Sequence, residues 1–232
     1  MSSKIIELLS TIIRKKRPII FDDHMRTVPI SSTFGFERGT PIDRFYIAKF
    51  VKKNEKYIEG DVLEIADNLY SKEFMSEKVR KIDVLDTKLH KNVTIIGDLT
   101  KIDSLPEAQY DCFICTQTLN FIFQIDLAIK GIYHLLKPGG TFIGTVAGIC
   151  QISRYDMDRW GDYWRFTSVS ISKLFENVFA TKPYIETFGN VATACAFLQG
   201  VAIEELPSPE ILEKTDQNYQ IVIGVLITRA LK

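Results

Sequence analysis

Five short apolar runs constrain the fold of this 232-residue chain more than any other feature: 61–66 (DVLEIA), 79–83 (VRKID), 93–97 (VTIIG), 110–115 (YDCFIC) and 141–146 (TFIGTV). Their near-continuous apolarity predicts β-strands covered on both faces, not strands with one wet side. Between the last two runs, apolar residues at 119, 122, 125, 129, 132, 135 and 136 recur at the helical period, and Pro138-Gly139-Gly140 ends the pattern. That is a strand, helix, strand unit. Further on, Ser168–Phe179 predicts a helix with an N-cap candidate at its start, 183–188 and 220–228 predict strands, and 191–205 predicts the helix between them. The expectation is an α/β, Rossmann-like doubly wound sheet, with ligand outside the carboxyl ends of its strands.

Several function classes are disfavoured at once. Lys plus Arg and Asp plus Glu number 29 each, so no summed field favours nucleic acid or an anionic membrane. The longest apolar stretches are broken well short of the ~18 residues a membrane-spanning helix needs, so the chain reads as soluble, with no transmembrane segment. Near the start, Ile5, Ile6, Leu8, Leu9, Ile12 and Ile13 precede Arg14, Lys15, Lys16 and Arg17, the reverse of the order in a secretory signal. The pattern predicts an amphipathic helix docked on its own domain or a subunit partner, with a basic membrane-surface helix as the other possibility. Four scattered cysteines fit a reducing cytoplasm. Cys112 and Cys115 form a C-x-x-C inside a strand, where an odd separation sends their side chains to opposite faces, so no metal site is expected. With no repeat or linker to divide it, the chain is treated as one domain: a helical extension, 1–58, ahead of the core, 59–232.

Function is sought at the strand ends. Glu64 lies in the first run, and the loop after it reads Ala66-Asp67-Asn68. Asp83 follows 19 residues after Glu64, at the end of the second run and just before Val84. An acidic residue about 20 positions on is placed to accept both hydroxyl protons of a ribose. The third run ends in Gly97-Asp98-Leu99 and the fourth in Cys115-Thr116-Gln117, so consecutive strands bring polar groups to one edge.

Taken in order, V-L-E-I, a strand-terminal Asp, G-D-L followed by L-P, Y-D-C-F-I and L-L-K-P-G-G over residues 61–146 resemble the motif series of the class I S-adenosylmethionine-dependent methyltransferases. In addition, G-T-P-I-D-R (39–44) and S-R-Y-D-M-D-R-W-G-D-Y-W-R-F-T (153–167) resemble methyltransferase domains associated with glycosyltransferases in bacterial surface-polysaccharide and capsule biosynthesis. The resemblance implies S-adenosylmethionine as cofactor, S-adenosylhomocysteine as product, and an extension that covers the cofactor site. It implies that Asp83, with Val84, meets the ribose, that Asp98 and the Leu99 backbone meet adenine, that Glu64, Ala66 and Asp67 line the methionine end, and that Thr116 and Gln117 close the floor. One departure stands out: the family's usual G-x-G after the first strand is Ala66-Asp67-Asn68 here. Asp67 puts a negative side chain near the methionine carboxylate, so either Asp67 turns toward the cofactor's ammonium group or a cation such as Arg38 or Arg44 from the extension meets the carboxylate. For Arg38, a salt bridge within the domain is the competing expectation.

The 153–167 segment holds both tryptophans and interleaves aromatic with charged side chains. Because it follows the fifth strand, Tyr155, Arg159, Trp160 and Trp164 are expected to bind an acceptor such as a sugar or anionic small molecule; packing is the competing role. Asp156, Asp158 and His24 are the candidates for a base. The expected function is methyl transfer to an oxygen of a sugar, glycan precursor or small, phosphorylated or neutral acceptor, in the cytoplasm, alone, as a homodimer or beside a glycosyltransferase. The alternative is a catalytically degenerate fold acting as a binding or scaffolding subunit.

Overall fold

The computed structural model describes residues 26–231. His24 and the predicted helix around residues 5–17 lie outside the described residues.

Seven strands form one sheet: β1 (Gly60–Ile65), β2 (Val79–Asp86), β3 (Ile95–Ile96), β4 (Tyr110–Thr116), β5 (Leu136–Ala147), β6 (Tyr184–Phe188) and β7 (Val222–Thr228), in the order β3-β2-β1-β4-β5-β7-β6. Neighbours pair in parallel from β3 to β5, and β7 runs antiparallel between β5 and β6. The helices are α1 (Ile42–Lys53), α2 (Leu69–Glu73), α3 (Ile125–Leu135), α4 (Arg154–Met157), α5 (Ser168–Phe179), α6 (Val191–Gln199) and α7 (Glu210–Glu213).

Both faces of the sheet are covered, as continuous apolarity requires. Leu63, Phe113, Cys115 and Phe142 pack under Ile129 and Ile132 of α3 and Ile171 and Phe175 of α5. One residue out of step along the same strands, Val62, Cys112, Ile114 and Ile143 pack under Tyr46, Ile47 and Phe50 of α1 and Phe197 of α6. The two cysteines therefore sit in different cores, and burial pushes the Cys115 thiol up to about 12.

Several boundaries differ from the sequence expectation. The helix expected from residue 119 is a separate turn of 3-10 helix, Leu119–Phe121, followed by α3 from Ile125. Its stop signal at Pro138-Gly139-Gly140 is drawn into the start of β5. The helix predicted over 191–205 stops at Gly200, whose left-handed φ of 71° ends α6. Most consequentially, β2 does not end at Asp83 but runs on to Asp86.

Candidate active site

At the carboxyl ends of β1 and β4, the chain leaves the sheet through left-handed residues that are not glycine: Ala66 at φ 65° and Gln117 at φ 50°. A Cβ makes that conformation costly, and such residues concentrate at functional sites. At Ala66, the backbone takes the turn that a glycine ordinarily supplies. Glu64, 4% exposed, supports the same loop from below by accepting the amides of Tyr70 at 3.1 Å and Ser71 at 2.7 Å. Its carboxylate satisfies the start of α2 and does not line the cavities described below, and burial raises its pKa. Asp67 points along the loop, accepting Asn68 N–H at 2.7 Å and the Asn92 amide at 3.2 Å.

The extra length of β2 changes which acid stands at the strand end. Asp83 is 3% exposed and accepts the hydroxyls of Tyr110 at 3.0 Å and Thr94 at 2.9 Å. Val84, 1% exposed, donates its N–H to Thr94 Oγ1. The expectation that these two residues stand free at the sheet edge is therefore corrected: both are internal to β2. The residue at the edge is Asp86, three positions on, whose Oδ1 accepts Lys88 N–H at 2.9 Å and whose Oδ2 lies 3.3 Å from His90 Nε2. After β3, Asp98 accepts the amide and hydroxyl of Thr100 at 2.9 and 2.7 Å. Partial burial opposes its charge, but those bonds and Lys101 hold its pKa below the ordinary value. Leu99 beside it packs against α3, where Gly131 has no side chain to meet the Leu99 carbonyl.

Two adjoining cavities open on this edge. One, about 540 Å³, is lined by Ala66, Leu85, Asp86, Asp98, Leu99, Phe121, Ile122, Asp156, Trp160 and Tyr163, among others. The other, about 630 Å³, is lined by Thr116, Gln117, Asn120, Asp43, Arg44, Phe34, Phe36, Arg154 and Tyr155, again with Phe121 and Asp156. Phe121 and Asp156 thus form part of the wall of both.

The extension supplies part of the second cavity's charge, beside Arg154, Asp156, Asp162 and Arg165. Arg44, at the start of α1, lies over the Phe36 ring with its guanidinium 5.6 Å from the centroid. Burial works against that charge, but Asp43, Tyr70 and Asp156 around it outweigh burial and raise its pKa. Burial pushes the Asp43 carboxyl up, against the opposing pull of Arg44 and of the Arg44 N–H bonded at 2.9 Å. Arg38 lies outside both cavity walls and is bound to Glu205, with Nε donating at 2.9 Å, which is the competing expectation for it.

The 153–167 segment arches from β5 across both cavities. Asp156 accepts the Ser153 hydroxyl at 2.6 Å, and Tyr155 borders the second cavity. Trp160 lines the first cavity, not the second. Trp164 donates Nε1–H to Ile122 O at 3.0 Å and packs beside Phe123 and Phe166, which is the packing role. Asp158 and Arg159 are on neither wall: Asp158 is an exposed residue after α4, and Arg159 lies over the Tyr155 ring at 3.5 Å.

Of the residues expected at the site, the cavities gather Ala66, Asp98, Leu99, Thr116, Gln117, Tyr155, Asp156 and Trp160. They add Asp86, Asp43 and Phe121, which the sequence reading did not single out. The signal for Asp86 was present, since Val84-Leu85 continues the apolar run past Asp83. Asp43 lies within the 39–44 motif, but it reaches the cavity wall only through tertiary packing of α1.

Residues 53–144 match the methyltransferase domain family. No curated protein matches the chain. Among solved structures, a SAM-dependent methyltransferase from Archaeoglobus fulgidus is similar at a TM-score of 0.52 and 12% identity, over 80% of this chain and 94% of that one. The cyclase SpnF is similar at a TM-score of 0.54 and 13% identity, over 99% and 95%. A 1,6-didemethyltoxoflavin-N1-methyltransferase from Burkholderia thailandensis, solved with 1,6-didemethyltoxoflavin and S-adenosylhomocysteine, is similar at 0.52 and 12%, over 80% and 77%. At these identities the likeness is one of fold. The chain thus has the α/β fold of the class I methyltransferases, and its residues 53–144 are similar to the methyltransferase domain family.

Proposed function

We propose that the protein is an S-adenosylmethionine-dependent O-methyltransferase for a small hydroxylated acceptor, such as a sugar or glycan precursor. The observation that carries this is the pair of adjoining cavities, one suited to a nucleoside and the other to an amino-acid end and a polar acceptor, with Phe121 and Asp156 shared between them.

The donor set fits the cofactor. Asp86 at the end of β2 takes the ribose hydroxyls, Asp98 and the Leu99 backbone take the adenine edge, and Leu85, Phe121 and Ile122 supply apolar contact. The methionine end crosses Ala66, whose turn brings backbone close, to Thr116, Gln117 and the Arg44 guanidinium, which meets its carboxylate. On this assignment the extension is part of the cofactor site. When bound, the cofactor supplies an electrophilic methyl on a sulfonium sulfur. The protein adds alignment and a place for the acceptor's proton. Tyr155, Phe34 and Phe36 offer apolar faces to an acceptor in the second cavity, with Arg154, Asp43 and Asp156 as polar partners. Asp156, oriented by Ser153, stands where the cavities join. The resemblance carried by residues 39–44 and 153–167 supports a sugar of surface-polysaccharide synthesis as the acceptor, methylated in the cytoplasm.

The test is transfer of tritiated methyl from S-adenosylmethionine to a panel of nucleotide sugars and methyl glycosides, with mass-spectrometric location of the methyl. An O-methyl product supports the assignment, and transfer to nitrogen or carbon overturns it. Binding of S-adenosylhomocysteine with no transfer to any member of the panel favours the binding-subunit alternative.

A further inference from the structure

The arch over the first cavity is secured unevenly. Its distal part is tied to the domain: Tyr163 and Trp164 donate N–H to Asn120 O at 2.9 and 3.2 Å, and Phe166 donates N–H to Ala147 O at 2.8 Å. Arg165 locks onto Asp162 at 2.6 and 2.8 Å. The tip, 157–161, differs. Among the described residues, every hydrogen bond of the tip runs within residues 153–161, and it closes on Gly161 at a left-handed φ of 88°. Its contact across the cavity mouth is Lys88, whose ammonium lies 4.4 Å from the Trp160 ring centroid.

Lys88 belongs to the turn that carries Asp86, and its own N–H donates to the Asp86 carboxylate. One turn thus orients the carboxylate at the β2 edge and holds the arch tip from the other side. Trp160 lines the nucleoside-sized cavity and remains 41% exposed. An aromatic ring on that wall, with a cation fixed against it, suits a π-stacked base.

Resting on the cofactor assignment above, we propose that Trp160, braced by Lys88, is the movable wall of the adenosine site, recognising the face of a purine and closing over the bound nucleoside. The acceptor then enters only the second cavity. An aromatic contact to a base is worth enough that removing Trp160 should weaken nucleoside binding about tenfold.

The test labels the two tryptophans of the full chain with 5-fluorotryptophan and assigns the Trp160 fluorine resonance with Trp160→Phe. Saturating S-adenosylhomocysteine should shift the Trp160 resonance and leave that of Trp164 nearly unmoved. Calorimetry should show Trp160→Ala, folded by circular dichroism, losing about tenfold in affinity for S-adenosylhomocysteine and equally for 5′-methylthioadenosine, which lacks the amino-acid end. Lys88→Ala should lose less for both. An unmoved Trp160 resonance, or affinities within about twofold of wild type, overturns the proposal while leaving the cofactor assignment intact. A loss confined to S-adenosylhomocysteine overturns it too, by moving Trp160 to the methionine end. Failure of wild type to bind either ligand removes the cofactor assignment and the proposal together.

Discussion

Asp83 and Asp86 lie on one strand and should fail in opposite ways. Asp86 is at the sheet edge with its side chain 18% exposed, so it is ready for two ribose hydroxyls and little of the core depends on it. A charge-assisted hydrogen bond contributes about 1.5–3 kcal/mol, and water entering the vacated position recovers part of that. Asp86→Ala should therefore cost about 2 kcal/mol of binding, roughly 30-fold in the Kd of S-adenosylhomocysteine, with Tm nearly unchanged. Asp83→Ala leaves the hydroxyl of Tyr110, a residue 2% exposed, without its acceptor and removes the ion-pair partner of Lys81, whereas the exposed Thr94 keeps the Val84 carbonyl within reach. A buried group left unsatisfied costs about 1–3 kcal/mol, so stability should fall by about 2 kcal/mol. At about 2–4 °C per kcal/mol for a domain of this size, Tm drops by about 4–8 °C. Calorimetry below that transition should find cofactor affinity within about threefold of wild type, because Asp83 touches no cavity wall. A folded Asp83→Ala that loses binding while Asp86→Ala keeps it would refute the exchange of roles.

The other expectations are briefer. Arg44→Ala should weaken S-adenosylhomocysteine about tenfold and leave 5′-methylthioadenosine unchanged, whereas Arg38→Ala should change neither; equal losses for both ligands would remove Arg44 from the carboxylate. Ala66→Gly relieves a left-handed Cβ conformation costing about 1–2 kcal/mol, against about 0.5–1 kcal/mol of added chain freedom, so urea denaturation should show a small gain; a clear loss means Ala66 makes a contact worth more than its strain. At the opposite sheet edge, Arg80 and then Lys137 hold the Asp61 carboxyl down to about 2. A depressed folded pKa stabilises above the unfolded value and is lost on acidification, so stability should decline from about pH 4 toward pH 2. Asp61→Asn should flatten that decline, and an unchanged acid profile would contradict it.

Sequence conveyed the architecture because continuous apolar runs and the helical period each demand one kind of packing. Strand ends were less legible, and the error at β2 shows why. A charged residue ordinarily marks the end of a buried strand, yet Asp83 stays inside because Tyr110 and Thr94 satisfy its carboxylate. Lys81, two residues back, also pairs with it, but the two hydroxyls come from β4 and from the residue before β3, and no local window contains those. The same holds for α1. The 39–44 motif marks Arg44 as a candidate cation, but only packing of this helix under α6 and β7 turns Asp43 and Arg44 into a cavity wall. For the 153–167 segment the composition suggested a binding role, but which of its aromatics faces a cavity was set by the Asn120 and Ile122 carbonyls that fasten Trp164 inward.

Binding of S-adenosylmethionine at the edge formed by β1, β2 and β4 with the loop after β3 is tested by calorimetric titration of the 232-residue chain with S-adenosylhomocysteine. The account predicts saturable binding of one ligand per chain, weakened by Asp86→Ala and not by Arg38→Ala. No heat of binding at millimolar ligand, or binding indifferent to Asp86, would contradict it.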